Sequence, residues 1–211
     1  MREGPLLAST FHAAADALGL ANEGREGVVL DLLARLSEPH RRYHDASHVA
    51  ACVRLAERHR AHARCLPHVL LALLFHDAVY DPRAHDNEAQ SAALAARGLT
   101  AIGADPATIE RVSALVLATK GHDMAGHDPD AELVLDADLA ILGDTERARE
   151  AFEAGVRAEY AHVDEASYRA GRRHVLEGFA ARDRLYAVPA IAAEREATAR
   201  AHLQERIRAL S

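Results

Sequence analysis

The stretch Val69-Leu-Leu-Ala-Leu-Leu-Phe75 constrains this chain more than any other. Seven successive apolar residues leave no polar face, so the segment reads as a helix enclosed by protein on every side, and it is far too short to cross a membrane. The rest of the sequence supplies helices to enclose it. Ala accounts for 47 of the 211 residues, only 4% are aromatic, and no alternating strand pattern occurs. Ala, Leu, Arg and Glu are strong helix formers, so the expected fold class is all-α. Charged residues at 27% beside a hydrophobic fraction of 49% exclude a disordered chain. A net charge of -7 leaves no basic excess to offset phosphate repulsion, so a nucleic-acid polymer is not an expected partner. Cys52 and Cys65 lack CxxC spacing and imply no disulfide scaffold. No stretch approaches a membrane span, and Glu3, His12 and Asp16 stand where a signal peptide would be apolar, so a cytoplasmic protein is expected.

Helical periodicity and its stops divide the chain. Residues 6–20 and 24–36 read as two helices parted by Gly19 and Asn22–Gly24, with Pro39 closing the second. Asp45 to Ala63 forms a third, and Pro67 opens the enclosed one. After a loop from Tyr80 to His85, Asp86 caps a helix to Arg97, and Asp105-Pro106 opens another to Ala118. Lys120 to Pro129 reads as irregular; Asp130 to Leu142 returns to helix and stops at Gly143. Thr145–Val163, Asp164–Arg184 and Pro189–Leu210 complete a single domain of about ten helices, with residues 146–211 packing on a core of about 40–145.

Fourteen histidines and five His-Asp dipeptides make any one of them uninformative without context. His76-Asp77 has context, because it ends the enclosed helix. An imidazole and a carboxylate there enter a low-dielectric region, where either a divalent ion or hydrogen bonds to a neighbouring helix end must compensate them. Asp136 and Asp138 lie in an apolar helix about 200° apart, so only one can face a shared site. Asp138 has Val134, Leu135, Ile141 and Leu142 as its helical neighbours, whereas Asp136 has Glu132, so Asp138 is the better candidate for the inward face. His44 and His48 stand one turn apart and project to one side. His12, His40, His59, His62, His68, His162, His174 and His202 are read as ordinary surface or core residues. Against 24 arginines there is one lysine, Lys120, which marks a position where a planar guanidinium would not fit.

Taken in order, these pieces resemble the HD superfamily of metal-dependent phosphohydrolases, whose pattern is a His, then His-Asp, then a distant Asp on an all-helical domain. Tyr43-His-x-x-x-His48, Phe75-His-Asp-Ala-Val-Tyr80, Asp86-Asn-Glu-x-x-Ser91, Ala118-Thr-Lys-x-His122 and Asp136-Ala-Asp-Leu-Ala-Ile-Leu-Gly143 look like a bacterial group described as predicted HD phosphohydrolases, as do Arg157-x-Glu-Tyr160 and Gly171-Arg-Arg173. The likeness runs from about residue 40 to the C-terminus and implies metal ligands His48, His76, Asp77 and Asp138. It places His44 where related phosphodiesterases keep a proton donor, and Glu88 where some HD nucleotidases keep an acid that orients water.

The resemblance implies hydrolysis of a small phosphorylated metabolite, a nucleotide foremost, by water activated on one divalent ion. Two imidazoles with carboxylates suit Mn, Co, Ni, Fe or Zn. Asp77 would also accept a hydrogen bond from the nucleophile. Lys120 and His122, with Arg157 or Arg172, are candidates to balance phosphate charge, although a surface or inter-helix salt bridge is the better account of the two arginines. A di-iron oxygenase is the alternative, needing two further ligands from His85, His122 and His127. A non-catalytic nucleotide sensor is another.

Overall fold

In a computed structural model that describes residues 2–122 and 127–211, the described residues form ten α-helices and two short 3-10 turns, with no strand. The helices are α1 (Gly4–Ala17), α2 (Arg25–Arg35), α3 (Ala46–Arg58), α4 (Leu66–Phe75), α5 (Asn87–Ala101), α6 (Pro106–Ala118), α7 (Pro129–Leu139), α8 (Glu146–Glu159), α9 (Glu165–Ala180) and α10 (Pro189–Ala209). The 3-10 turns cover Arg60–His62 and Ala140–Gly143. No described helix is long and apolar enough to cross a membrane.

α4 is the axis of the molecule. Every residue from Val69 to Phe75 is buried, and α1, α3, α5, α6 and α7 pack around it. One hydrophobic core takes in side chains from Leu7 to Leu210. Short polar caps set where the surrounding helices begin. Asp45 accepts the amides of Ser47 and His48, and Asp105 those of Ala107 and Thr108, each satisfying donors that a helix start leaves unpaired. Asp86 differs from the sequence expectation: it precedes α5 without a capping hydrogen bond, and its carboxylate instead takes the side-chain amide of Gln90.

Helix ends depart most from the sequence reading. The third helix stops at Arg58 and tightens into the 3-10 turn Arg60–His62, none of whose residues is buried. α5 runs on to Ala101, so that Leu99 reaches the core beside Ile102. α7 gives way at Ala140 where α10 crosses it; a Cβ on Gly143 would stand 2.6 Å from Arg195 Cβ and 2.7 Å from its carbonyl oxygen. Past α9, Glu196 accepts the amides of Leu185 and Tyr186, which diverts the chain from helix before α10.

Candidate metal centre

Three helices deliver a buried cluster. The Asp45 cap starts α3 so that His48 lies on its inward face, with Cys52 one turn further on. α4 ends at His76, whose Nδ1 donates to the Leu73 carbonyl at 2.8 Å. A carbonyl only accepts, so Nδ1 carries a hydrogen and Nε2 is the ring atom left to meet a ligand. Asp77 follows directly, and α7 brings Asp138 one residue before its end.

The donor atoms converge. His48 Nε2 is 3.1 Å from His76 Nε2, 3.1 Å from Asp138 Oδ1 and 3.5 Å from Asp77 Oδ2. His76 Nε2 is 3.1 Å from Asp77 Oδ2 and 3.6 Å from Asp138 Oδ1. Ligand atoms bound at about 2.1 Å to a tetrahedral or octahedral ion lie about 3.0–3.4 Å from one another; the distances here run from 3.1 to 3.6 Å, close to that range. Two imidazole nitrogens facing two carboxylate oxygens at such range repel unless a proton or a cation stands among them. Burial alone would lower the His76 pKa, yet the charges of Asp77 and Asp138 raise it well above the ordinary imidazole value. Against the same burial, His76 holds both carboxyls well below their usual range.

His48, Cys52, His76 and Asp138 each offer a ligand atom within 4.8 Å of the others, a grouping that could hold a metal ion. The sequence reading passed over Cys52, although its place four residues after His48 was the available signal. The geometry favours Asp77 over it as a ligand. Cys52 Sγ stands 3.8 Å from both ring nitrogens of His48, so it packs against the ring rather than beyond Nε2. Burial also pushes its thiol far up, against thiolate formation.

His122 closes one side. Its Nε2 lies 2.8 Å from Asp138 Oδ2, the oxygen turned away from the paired histidines. It has a left-handed φ of 49°, and its carbonyl is held by Arg182 at 2.8 Å. Residues 123–126, in the stretch read as irregular, lie outside the described residues.

His44 is held by a residue to which the sequence reading gave no role. Glu159, at the end of α8, has a fully buried side chain. Its Oε1 accepts the amides of Arg42, Tyr43 and His44 at 2.8, 2.8 and 3.0 Å. Its Oε2 takes the Tyr80 hydroxyl at 2.9 Å and meets His44 Nδ1 at 2.7 Å. Burial works against ionisation, but the His44 ring and the backbone amides bring the Glu159 pKa down to about 2. A carboxylate so stabilised accepts, so His44 Nδ1 donates to it, and a protonated ring has Nε2–H left to give. Tyr80 stacks on the same ring, 4.3 Å between centroids. The signal in the sequence was a Glu in the Arg157-x-Glu-Tyr160 motif, but nothing local told that it would be buried.

Cluster and His44 open onto a cleft of about 1180 Å³, lined also by Glu88, Lys120, His122 and Arg172. Lys120 Nζ reaches the His85 carbonyl at 3.2 Å. Arg172 pairs with Glu153 at 2.8 Å at the cleft edge. Arg157 is a correction to the candidate list: it is not among the lining residues. Its guanidinium is spent on Glu165, on the carbonyls of Tyr160 and Val163, and on the Tyr168 ring. Asp138 does face the cluster, but Asp136 is not solvated on the far side. It is fully buried and accepts the amides of Ala187 and Val188 at 2.9 and 2.7 Å, tying the segment before α10 to α7.

Comparison with family models, with curated proteins and with solved structures returned no match to this chain.

Proposed function

We propose that this protein is a metal-dependent phosphohydrolase of the HD type, acting on a small phosphorylated metabolite, with a nucleotide foremost. The observation that carries the reading is the meeting of His48, His76, Asp77 and Asp138 at the spacing of a coordination sphere, beside a cleft large enough for a small molecule. These four would hold one divalent ion, for which Mn, Co, Ni, Fe or Zn suits two imidazoles better than Mg. When bound, such an ion supplies a Lewis acid for a phosphoryl oxygen and a water acidified toward neutrality.

The chain's own residues account for the remaining steps. Asp77 lines the cleft and can accept a hydrogen bond from the incoming water. Glu159 holds His44 by Nδ1, which leaves Nε2 as the atom that would pass a proton to the leaving oxygen. Lys120 and His122 line the cleft and would offset phosphate charge, and Glu88 lines the same wall. The oxygenase alternative is less well supported. Of its three further histidines, His122 alone touches a cluster ligand, while the His85 backbone carbonyl accepts from Lys120 and His127 Nδ1 is 3.6 Å from Glu132.

The test is phosphate release from a panel of phosphorylated metabolites with Mn, Co and Ni supplied separately. Turnover that is lost in Asp77→Ala supports the proposal, and turnover unchanged in that variant overturns it. Nucleotide binding without turnover would return the sensor reading.

A further inference from the structure

Two arginines are buried among the described residues, Arg25 and Arg41. Arg25 serves its own neighbourhood: its fork takes the carbonyls of Leu20 and Ala21 and the Asp16 carboxylate. Arg41 reaches 36 residues along the chain, and its side chain has no solvent exposure. Its Nη1 donates to the carbonyls of His44 and of Asp77, both at 2.7 Å, and its Nη2 to that of Ala78 at 3.1 Å. Nε and Nη2 each lie 3.1 Å from Glu38 Oε2, and the Tyr80 ring stands 5.6 Å from the guanidinium carbon. The whole fork is used.

A buried guanidinium gives up its hydration, and an apolar residue in its place would avoid that cost. What Arg41 secures in return is the join between two turns, one leading into α3 and one following α4. Its acceptors there include the backbones of His44 and Asp77, whose side chains both line the cleft. One nitrogen therefore sets how far these two backbones stand apart. From the other side, Glu159 accepts the amides of Arg42, Tyr43 and His44 and meets the His44 ring. The His44 peptide is thus fixed at its N–H by an anion and at its carbonyl by a cation.

We propose that Arg41 is a positioning residue for the reaction: it fixes the separation of His44 from Asp77, and so the place of the proton donor relative to the phosphorus under attack. The inference rests on the phosphohydrolase reading for the reaction, while the tie between the two turns stands by itself. In that reaction the water oxygen bonds to phosphorus and gives up a proton. The P–O bond to the leaving group breaks with its electron pair on the leaving oxygen, which takes a proton from His44 Nε2, and solvent restores that proton. A guanidinium presents five N–H groups on three nitrogens, whereas an ammonium has three on one atom. Arg41→Lys therefore keeps the charge and loses the span.

The experiment compares the intact protein, Arg41→Lys, His44→Ala and the double variant, all metal-loaded, on two esters. One is 4-nitrophenyl phosphate, whose phenolate departs without a proton; the other is the alkyl phosphate that the intact protein turns over best. On the alkyl ester, Arg41→Lys is expected to lower kcat at least about tenfold with KM little changed. On 4-nitrophenyl phosphate the fall should stay under about threefold, as should the effect of Arg41→Lys on the alkyl ester once His44 is Ala. Glu38→Ala, which unties the part-exposed end of the fork, serves if Arg41→Lys fails to fold, and gives a smaller fall with the same selectivity. Equal falls on both esters, no fall on either, or a tenfold fall that persists in His44→Ala overturns the proposal. A second readout needs neither metal nor turnover: the His44 Nδ1 proton held by Glu159, assigned in NMR spectra by its loss in His44→Ala, should exchange faster with water in Arg41→Lys. If the intact protein hydrolyses no ester, the phosphohydrolase reading fails; faster exchange then still supports the tie, and unchanged exchange overturns it.

Discussion

Replacing Glu159 by Gln isolates the charge at the buried centre of the His44 network. Gln keeps one oxygen for the three backbone amides, but it meets His44 Nδ1 and the Tyr80 hydroxyl with an NH2 group instead of a carboxylate. A pKa displaced from 4.5 to about 2 corresponds to about 3 kcal/mol in favour of the folded state, an order-of-magnitude figure for a side chain with no solvent exposure. Because the folded pKa is the lower one, this contribution is complete above the unfolded value of 4.5 and is lost as pH falls toward about 2. Urea unfolding at pH 7 should therefore show Glu159→Gln less stable by about 3 kcal/mol, roughly 6–12 °C in Tm for a chain of this size. At pH 3.5 the gap should narrow by about 1.4 kcal/mol. A gap that is absent at pH 7, or that keeps its size at pH 3.5, refutes the assignment of a stabilised carboxylate to this position. The same substitution removes the anion that accepts from His44 Nδ1 and orients the ring, so the activity should fall at least about tenfold.

Other outcomes are open to direct measurement. Asp136 is pushed up to about 7 by burial, so the folded protein holds a proton that the unfolded chain has released above pH 4. Stability should fall as pH rises from about 4 to 8, by as much as about 4 kcal/mol, and denaturant titrations of Asp136→Asn should lack that slope. Gly143→Ala should destabilise by about 2 kcal/mol in the same assay, since its Cβ meets the Arg195 backbone, whereas Gly178→Ala should raise Tm. Cobalt-loaded protein should show no thiolate charge-transfer band, and Cys52→Ala should leave its visible spectrum unchanged; a band lost in that variant would make Cys52 a ligand.

The enclosed helix and the helix starts were legible because each leaves a local mark, whereas the four-residue ligand set came from the resemblance in motif order and not from any one position. Seven apolar residues in a row mark α4, and Asp105-Pro106 marks a cap that the structure satisfies with two amides. His76-Asp77 stood out by following an apolar run, not by being a motif. What stayed hidden depends on contacts distant in sequence. Glu159 is buried because a turn more than a hundred residues earlier points three amides at it. Asp136 is inside because the segment before α10 brings two amides to its carboxylate, which its own helix pattern cannot announce. Arg157 had a salt bridge as its better reading, but only the fold shows that α9 supplies the partner, Glu165, and the Tyr168 ring. Helix ends shifted for a similar reason: α7 gives way after Leu139 to the 3-10 turn Ala140–Gly143, on which α10, distant in sequence, packs.

The account turns on whether His48, His76, Asp77 and Asp138 share a cation. Protein stripped by chelator and titrated with Mn, Co, Ni or Zn in a calorimeter measures this directly. The prediction is about one ion per chain, with affinity lost in Asp138→Ala and in His76→Ala but kept in Arg157→Ala, whose side chain lies off the cleft. Absence of binding, or equal binding by the intact chain and the Asp138 and His76 variants, would contradict it.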